Sequence, residues 1–378
     1  MGVSDGESLV RARLVAVLLT AIPLLAVGCS TAAGSISAQS NGYHVTCADT
    51  PADAGRLQHA INSSRPRAVI EISGTCLLTR GITLLPNRTY TGDGRTSTVL
   101  RQGAPMSYVL ASDAFVHNAA TTGAPLTIQQ LTIACSGQGR TNGLVVLNWQ
   151  VEVQQIDVSN CGGSGIVDTG QVADGKTITN TSVNSRFADN FISGSGVYGF
   201  QVADTGNSVT DGYLVDNQIA SSGQTAIELQ NAAGWNVSGN HLYNDVGNGI
   251  VAERLFGTTI SGNYIEDFAS RQPSGTWYGI AGSVQNGDGS TIFGNSVFND
   301  LGEHGRAVHV YIAIVKVNAG TGQVAVTGNI IGGAGRSDIA LSFTAGGHTL
   351  NVASSGNVVT NVGTVTQHSG AVRLATGH

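Results

Sequence analysis

Two glutamates in neighbouring copies of one short repeat are the side chains of this 378-residue chain best suited to paired carboxylate chemistry: Glu228, in Thr225-Ala-Ile-Glu-Leu-Gln, and Glu253, in Asn248-Gly-Ile-Val-Ala-Glu. A protonated carboxyl can hand its proton to a leaving oxygen while an ionised one attacks or activates water, which is how two carboxylates break a glycosidic bond. His309 is the third candidate acid or base, with Arg306 and Tyr311 beside it to hold hydroxyls or a carboxylate. Tyr198, Gln201, Gln230, Trp277 and Tyr278 complete a set of residue types that stack on or hydrogen-bond sugars. Plainer roles stand beside these: two Glu also keep an exposed sheet soluble, a lone His is as often a surface residue, and Trp277 can anchor its own loop.

The elements that must position these residues are copies of a segment with Gly or another small residue followed by Ile, Leu, Phe or Val. They start at Asn142, Ser164, Tyr198, Thr225, Asn248, Tyr278, Arg306 and Ser337. If the Ile-type residue points inward, alternation along the strand aligns three outward columns. The first holds Gln201, Glu228, Val251, Ala281 and His309, and the second Ala203, Gln230, Glu253, Ser283 and Tyr311. The third holds Tyr198, Thr225, Asn248, Tyr278 and Arg306. Glu228 and Glu253 then lie one coil and two residues apart, roughly 8 Å between Cα atoms, which suits retaining or inverting hydrolysis. In a chain only 11% charged, this concentration of ionisable and aromatic groups on one face has the profile of a carbohydrate groove. Insertions at 269–278 and 301–305 enter at the edge of the same face, where solenoid loops gather around a ligand. Asp168 falls in an inward column, where hydrogen bonding within a coil end is its expected role.

A second signature runs in phase with the first: Ser238-Gly-Asn240, Ser261-Gly-Asn263, Phe293-Gly-Asn295, Thr327-Gly-Asn329 and Ser355-Gly-Asn357, each after a short β-branched run. Two or three short strands per repeat, punctuated by Gly-Asn turns, spell a single all-β solenoid, a parallel β-helix, with the Asn residues satisfying backbone groups at a buried bend. Fifty-two Gly, seven Pro and few charges fit such a turn-dense chain and exclude disorder and coiled coil. With a net charge of -6 and only two lysines, Lys176 and Lys316, the basic stripe that nucleic-acid binding requires is missing.

Arg11 and Arg13 precede an apolar run from Leu14 to Val27, so residues 1–28 read as an export signal, too short for a membrane span. The junction Leu25-Ala-Val-Gly-Cys29 resembles a bacterial lipobox, which implies lipidation of Cys29 and a surface anchor; plain cleavage with an incidental Cys29 is the alternative. Residues 29–44 read as a tether, 45–365 as the solenoid and 366–378 as a tail. Of five cysteines, Cys29 is the odd one. Cys135 and Cys161 sit one repeat apart, where adjacent strands at about 4.8 Å suit a disulfide, and Cys47 and Cys76 then pair, free buried thiols being the alternative in each case.

Ahead of the first coil, Pro51–Ser64 has helical periodicity, with Leu57, Ala60 and Ile61 on one face, as a cap over the open end of the stack needs. This helix, the VIEISGTC strand that follows, the ITLLPNRTYTGDG strand and turn, and the Gly-Asn coils together resemble the right-handed parallel β-helix proteins of the pectate lyase superfamily over residues 45 to 365. The resemblance implies that fold and leaves the reaction open among lyases, hydrolases, epimerases, methylesterases and phage tail fibres. The paired Asp and Arg-x-Lys of polygalacturonases and the Arg and Lys set of pectate lyases are missing. Tyr198-Gly-Phe200 is similar to alginate epimerases, but Gln201 stands where they begin an Asp-Pro-His run, so no catalytic residue is carried over.

Three functions follow from these residues. The first is a glycoside hydrolase or transglycosidase acting through Glu228 and Glu253. The second is a polysaccharide lyase or uronate epimerase using His309 or Tyr311 as base and Arg306 to neutralise a carboxylate. The third is a surface lipoprotein that binds glycan without turnover. No cofactor is called for, although scattered acids such as Asp189, Asp204 and Asp216 leave calcium open. Gly194-Ser-Gly-Val-Tyr-Gly199 leads into a strand rather than a helix and is not a dinucleotide site.

Overall fold

The computed structural model describes residues 42–300 and 306–376, so the export signal, most of the tether with Cys29, and the loop at 301–305 lie outside the described residues. Thirty strands stack in parallel, in register coil upon coil, into a β-helix with three faces. The first face includes Tyr198–Ala203, Thr225–Gln230, Asn248–Leu255, Ser274–Gln285 and Arg306–Ala319. The second runs through Tyr213–Val215, Asn236–Ser238 and Thr259–Ser261, and the third through Gln218–Ala220, His241–Tyr243, Tyr264–Glu266 and Ser296–Phe298.

The repeat dictates this packing. Each Ile-type residue lands above its counterpart in the next coil, as in the column Phe200, Ile227, Ile250, Ile280 and Ile312, all of them buried. Within the coil interior Phe187, Phe200 and Trp235 pack ring on ring, with centroids 4.8 to 6.4 Å apart. Gly212 leaves room for that indole, since a Cβ there would come within 2.5 Å of Trp235.

The bend between the second and third faces is held by an asparagine ladder. The backbone N–H and Nδ2 of Asn240 donate to Oδ1 of Asn263 at 3.0 and 2.9 Å, and Nδ2 also donates to the Leu214 carbonyl at 2.9 Å. The same pattern joins Asn190, Asn217, Asn240, Asn263, Asn295, Asn329 and Asn357. The preceding residue supplies the left-handed turn, glycine from Gly239 (φ +69°) onward and Asp189 and Asp216 before Asn190 and Asn217, while the side-chain amides of the buried bend find partners.

Helix α1 (Asp53–Ser63) buries Asp53, Ala54, Leu57 and Ile61 against the first coils, as a cap should. Disulfides Cys47–Cys76 and Cys135–Cys161 each join adjacent coils with 4.8 Å between Cα atoms. At the other end the strand Val358–Thr376 continues through residues read from the sequence as a tail, because it pairs along its length with Ile330–Ser355. The first strand, Gly42–Thr46, likewise begins inside the segment read as tether.

Candidate active site

On the first face the outward column is continuous but changes character along the stack. Ala111, Val145 and Val167 form a dry patch covered by Tyr108, by Phe115 and Val116 of α2 (Asp113–Val116), and by Ala203 at its edge. The next two coils carry Gln201 and then Glu228 in the same column. Gln201 is fixed by Ser164, whose Oγ donates to Oε1 at 3.1 Å. Glu228 stands opposite Val251 of the following strand, and Glu253 lies two residues further along, where the pairing shifts register beyond Ala252.

Beyond these, a cleft of about 440 Å³ is lined by Asn231, Val251, Glu253, Ser283, Lys316 and Asn318. Asn318 ties its far wall to the site by donating from Nδ2 to the Glu253 carbonyl at 2.9 Å. Gln230, half-buried, stands opposite Ala203, two residues beyond Glu228 on the same strand. Tyr198 and Tyr278 occupy the third column on either side of Thr225 and Asn248, and the Tyr278 N–H donates to Asn248 Oδ1 at 2.9 Å.

The two glutamates differ in surroundings. Glu228 is only 8% exposed, whereas Glu253 is open to solvent. Burial first, and the charge of Glu253 second, push the Glu228 carboxyl up to about 8 against a hydrogen bond from Thr225. It therefore holds its proton at neutral pH. Burial, then the charges of Glu228 and Glu253, also raise the Tyr198 phenol, so it stays protonated at neutral pH.

The other end of the predicted constellation is rearranged. Tyr278 pairs with Val310 and Ala281 with Ala313, so Arg306–Ala319 lies four residues out of the register that the repeat suggests. Arg306 consequently stands opposite Ser274, about 13 Å along the strand from the expected position. His309, opposite Trp277, is 2% exposed and points into the stack. Tyr311 takes the position that glycine or alanine holds in the preceding coils and is wholly buried against Phe268, ring centroids 5.4 Å apart.

Both His309 and Tyr311 serve Asp338: His309 Nδ1 lies 3.0 Å from Oδ1, the Tyr311 hydroxyl donates to Oδ2 at 2.9 Å, and the Ala334 N–H donates to Oδ2 at 2.8 Å. They build the core rather than the groove. Trp277 is half-buried and donates from Nε1 to the Ser274 carbonyl at 2.9 Å, which ties it to its own loop.

Lys316, Asn318 and Asn231 are the cleft residues that sequence reasoning missed. For Lys316 and Asn318 the signal was hidden by the same displacement, which an irregularity after Gly282 widens from four residues to five: Lys316, where the repeat places Tyr311, pairs with Ser283 and brings a cation to the cleft. Asp168 is inward as expected and wholly buried, with Ser185 and the Thr169 N–H as its hydrogen-bonding neighbours. Burial and the charge of Asp204 push its pKa well up. Asp204 spends its own oxygens on the N–H groups of Gly206, Ser208 and Val209, and among the described residues no three His, Cys, Asp or Glu side chains converge as metal ligands would.

No family model and no curated protein matches the chain. Solved structures do. It is similar to the N-terminal fragment of bacteriophage Phi29 gene product 12 (TM-score 0.58, 14% identity, covering 83% of this chain and 63% of that one). It is also similar to a tailspike of Acinetobacter phage vb_AbaP_AS12 (TM-score 0.58, 10% identity, 88% and 63%). A third likeness is to an alginate lyase from Paenibacillus sp. str. FPU-7 (TM-score 0.50, 14% identity, 87% and 98%). The chain thus spans less than two thirds of either phage protein, and at these identities the likeness establishes the right-handed parallel β-helix fold.

Proposed function

We propose that the chain is an exported carbohydrate-active enzyme that cleaves glycosidic bonds in the first-face groove, with Glu228 as general acid and Glu253 as its carboxylate partner. The observation that carries this reading is the pair of unlike environments: a buried carboxyl pushed up to about 8 beside an exposed one whose charge contributes to that shift. Environments that separate two carboxyls in this way assign the acid to one and the nucleophile or base to the other. In the reaction Glu228 gives its proton to the leaving glycosidic oxygen as that bond breaks. Glu253 either bonds to the anomeric carbon or takes a proton from the water that does. Tyr198, Gln201, Gln230 and Tyr278 orient the sugar, and Lys316 and Asn318 close the far wall.

An alginate lyase and phage tailspikes sharing the fold support a glycan as substrate. The lyase reading of the sequence loses its residues here, since His309 and Tyr311 are core and Arg306 is displaced. Two disulfides support an oxidising compartment. Export through residues 1–28 and anchoring at Cys29 belong to the same proposal.

The test is incubation of the signal-free protein with neutral and acidic polysaccharides, following reducing ends and unsaturated-uronate absorbance in parallel. New reducing ends without absorbance, lost in Glu228→Gln and in Glu253→Gln, are expected. Full activity in both variants, or absorbance in place of plain reducing ends, would overturn the assignment.

A further inference from the structure

The third face of the same coils carries a row of rings that the groove does not use. His241 and Tyr243 leave one strand side by side with centroids 4.8 Å apart; Tyr264 follows on the next coil, 4.9 Å from His241, and Phe298 on the one after, 6.0 Å from Tyr264. Glu266 locks the row, its two oxygens taking the Tyr264 hydroxyl at 2.8 Å and His241 Nε2 at 3.0 Å. Cross-strand aromatic pairs steady a sheet, but these rings are not spent on packing: Tyr264 remains 41% exposed.

The row also ends in a concavity rather than on a flat surface. A cleft of about 340 Å³ is lined by Tyr243, Gln218, Arg95, Asp157, Asp189 and Asp216, among others. Its end wall is a reach across coils, with Arg95 Nη1 donating to Asp157 Oδ1 at 3.2 Å and Nη2 donating to the Asp189 carbonyl. Aromatic faces leading into a small cleft with a few convergent polar groups have the make-up of a sugar site.

We infer that this cleft and its ring row form a second glycan-binding site, separate from the groove, that takes an uncharged polysaccharide. Charge selects that class: one arginine faces three aspartates in the cleft, and Glu266 adds a fourth carboxylate along the row. A uronate chain is repelled there, whereas sugar hydroxyls find acceptors in the carboxylates and Gln218, and sugar faces lie on Tyr243 and Tyr264. The inference stands whether or not the groove is catalytic.

The experiment is affinity electrophoresis of the signal-free chain in native gels cast with hydroxyethyl cellulose, galactomannan, soluble starch or alginate, each read against a non-binding reference protein. Retardation in at least one neutral polymer is expected, kept in Glu253→Gln and weakened about tenfold in Tyr264→Ala, roughly the worth of one aromatic contact. Gln218→Ala, at a cleft-lining position between Phe191 and His241 in the outward column, weakens it too, and unchanged melting temperatures show that both variants fold. The inference is overturned by no retardation in any neutral polymer, by retardation in alginate alone, or by retardation that persists in both variants and disappears in Glu253→Gln.

Discussion

Asp338 and Glu228 are both shut away from water on neighbouring regions of one solenoid, and they end in opposite charge states. Burial pushes each pKa up. At Asp338 the His309 ring, the Ala334 N–H, the charge of His309 and the Tyr311 hydroxyl together outweigh burial and hold the carboxyl below its usual range. At Glu228 a hydrogen bond from Thr225 is opposed by both burial and the charge of Glu253, and the carboxyl rises to about 8. The difference lies in the number and sign of the partners, not in depth. A carboxylate given several donors is a structural rivet, whereas one given a like charge and few donors is an acid kept ready to give its proton.

The largest expected effect comes from breaking the rivet. Asp338→Ala leaves His309 and the Tyr311 hydroxyl without their acceptor inside the stack, and should cost about 3–5 kcal/mol in urea unfolding at neutral pH. Because the Asp338 pKa is depressed on folding, its stabilisation is present above the unfolded value of about 3.9 and is lost as pH falls through the folded value. The gap between wild type and variant should therefore close in acid. A gap unchanged from neutral pH to below pH 3 would show that the carboxylate charge is not what holds this region.

Glu228→Gln should behave in the opposite way. Turnover should fall by about two to four orders of magnitude, yet the fold should gain stability at pH 8 to 9. The Glu228 pKa is raised on folding, so the native state is favoured below the unfolded value of about 4.3 and loses stability as pH rises toward about 8. Melting curves of the two proteins should converge near pH 4 and separate upward. A variant less stable than wild type at pH 9 would contradict the burial argument.

A smaller effect is expected in the pH profile of kcat/KM, whose alkaline limb should fall near pH 8, where Glu228 gives up its proton. The smallest is the shift in the Glu228 midpoint expected in Glu253→Gln, which besides losing turnover removes the like charge and should lower that midpoint by about one unit or less, since the exposed partner is partly screened.

The fold was largely legible because its instructions are local and repeated. Gly239 and Asn240 build the same turn as Gly262 and Asn263, and Cys135 and Cys161 meet because they stand one repeat apart. The site was legible only where register was marked. From Tyr198 to Tyr278 a small residue before each Ile or Phe pins the strand, and the outward columns follow as far as Ala252, beyond which the pairing shifts. In Arg306–Ala319 the marker is gone: Tyr311 replaces glycine, and Val308, Val310, Ile312 and Ile314 offer the same alternation at two- or four-residue slips. His309 thus read as outward when a carboxylate two coil segments later in the chain, Asp338, draws it inside. The burial of Glu228 is a tertiary property as well, and nothing in Thr225-Ala-Ile-Glu-Leu-Gln announces it.

The charge state of Glu228 is the point on which the account rests, and a carbon-detected NMR titration of protein labelled at the glutamate carboxyl carbons reads it directly. The account predicts one resonance, missing from Glu228→Gln, with its midpoint near pH 8 while exposed glutamates titrate in the ordinary range about pH 4. If the resonance that disappears in Glu228→Gln titrates in that ordinary range instead, Glu228 is ionised at neutral pH and cannot be the acid of this groove.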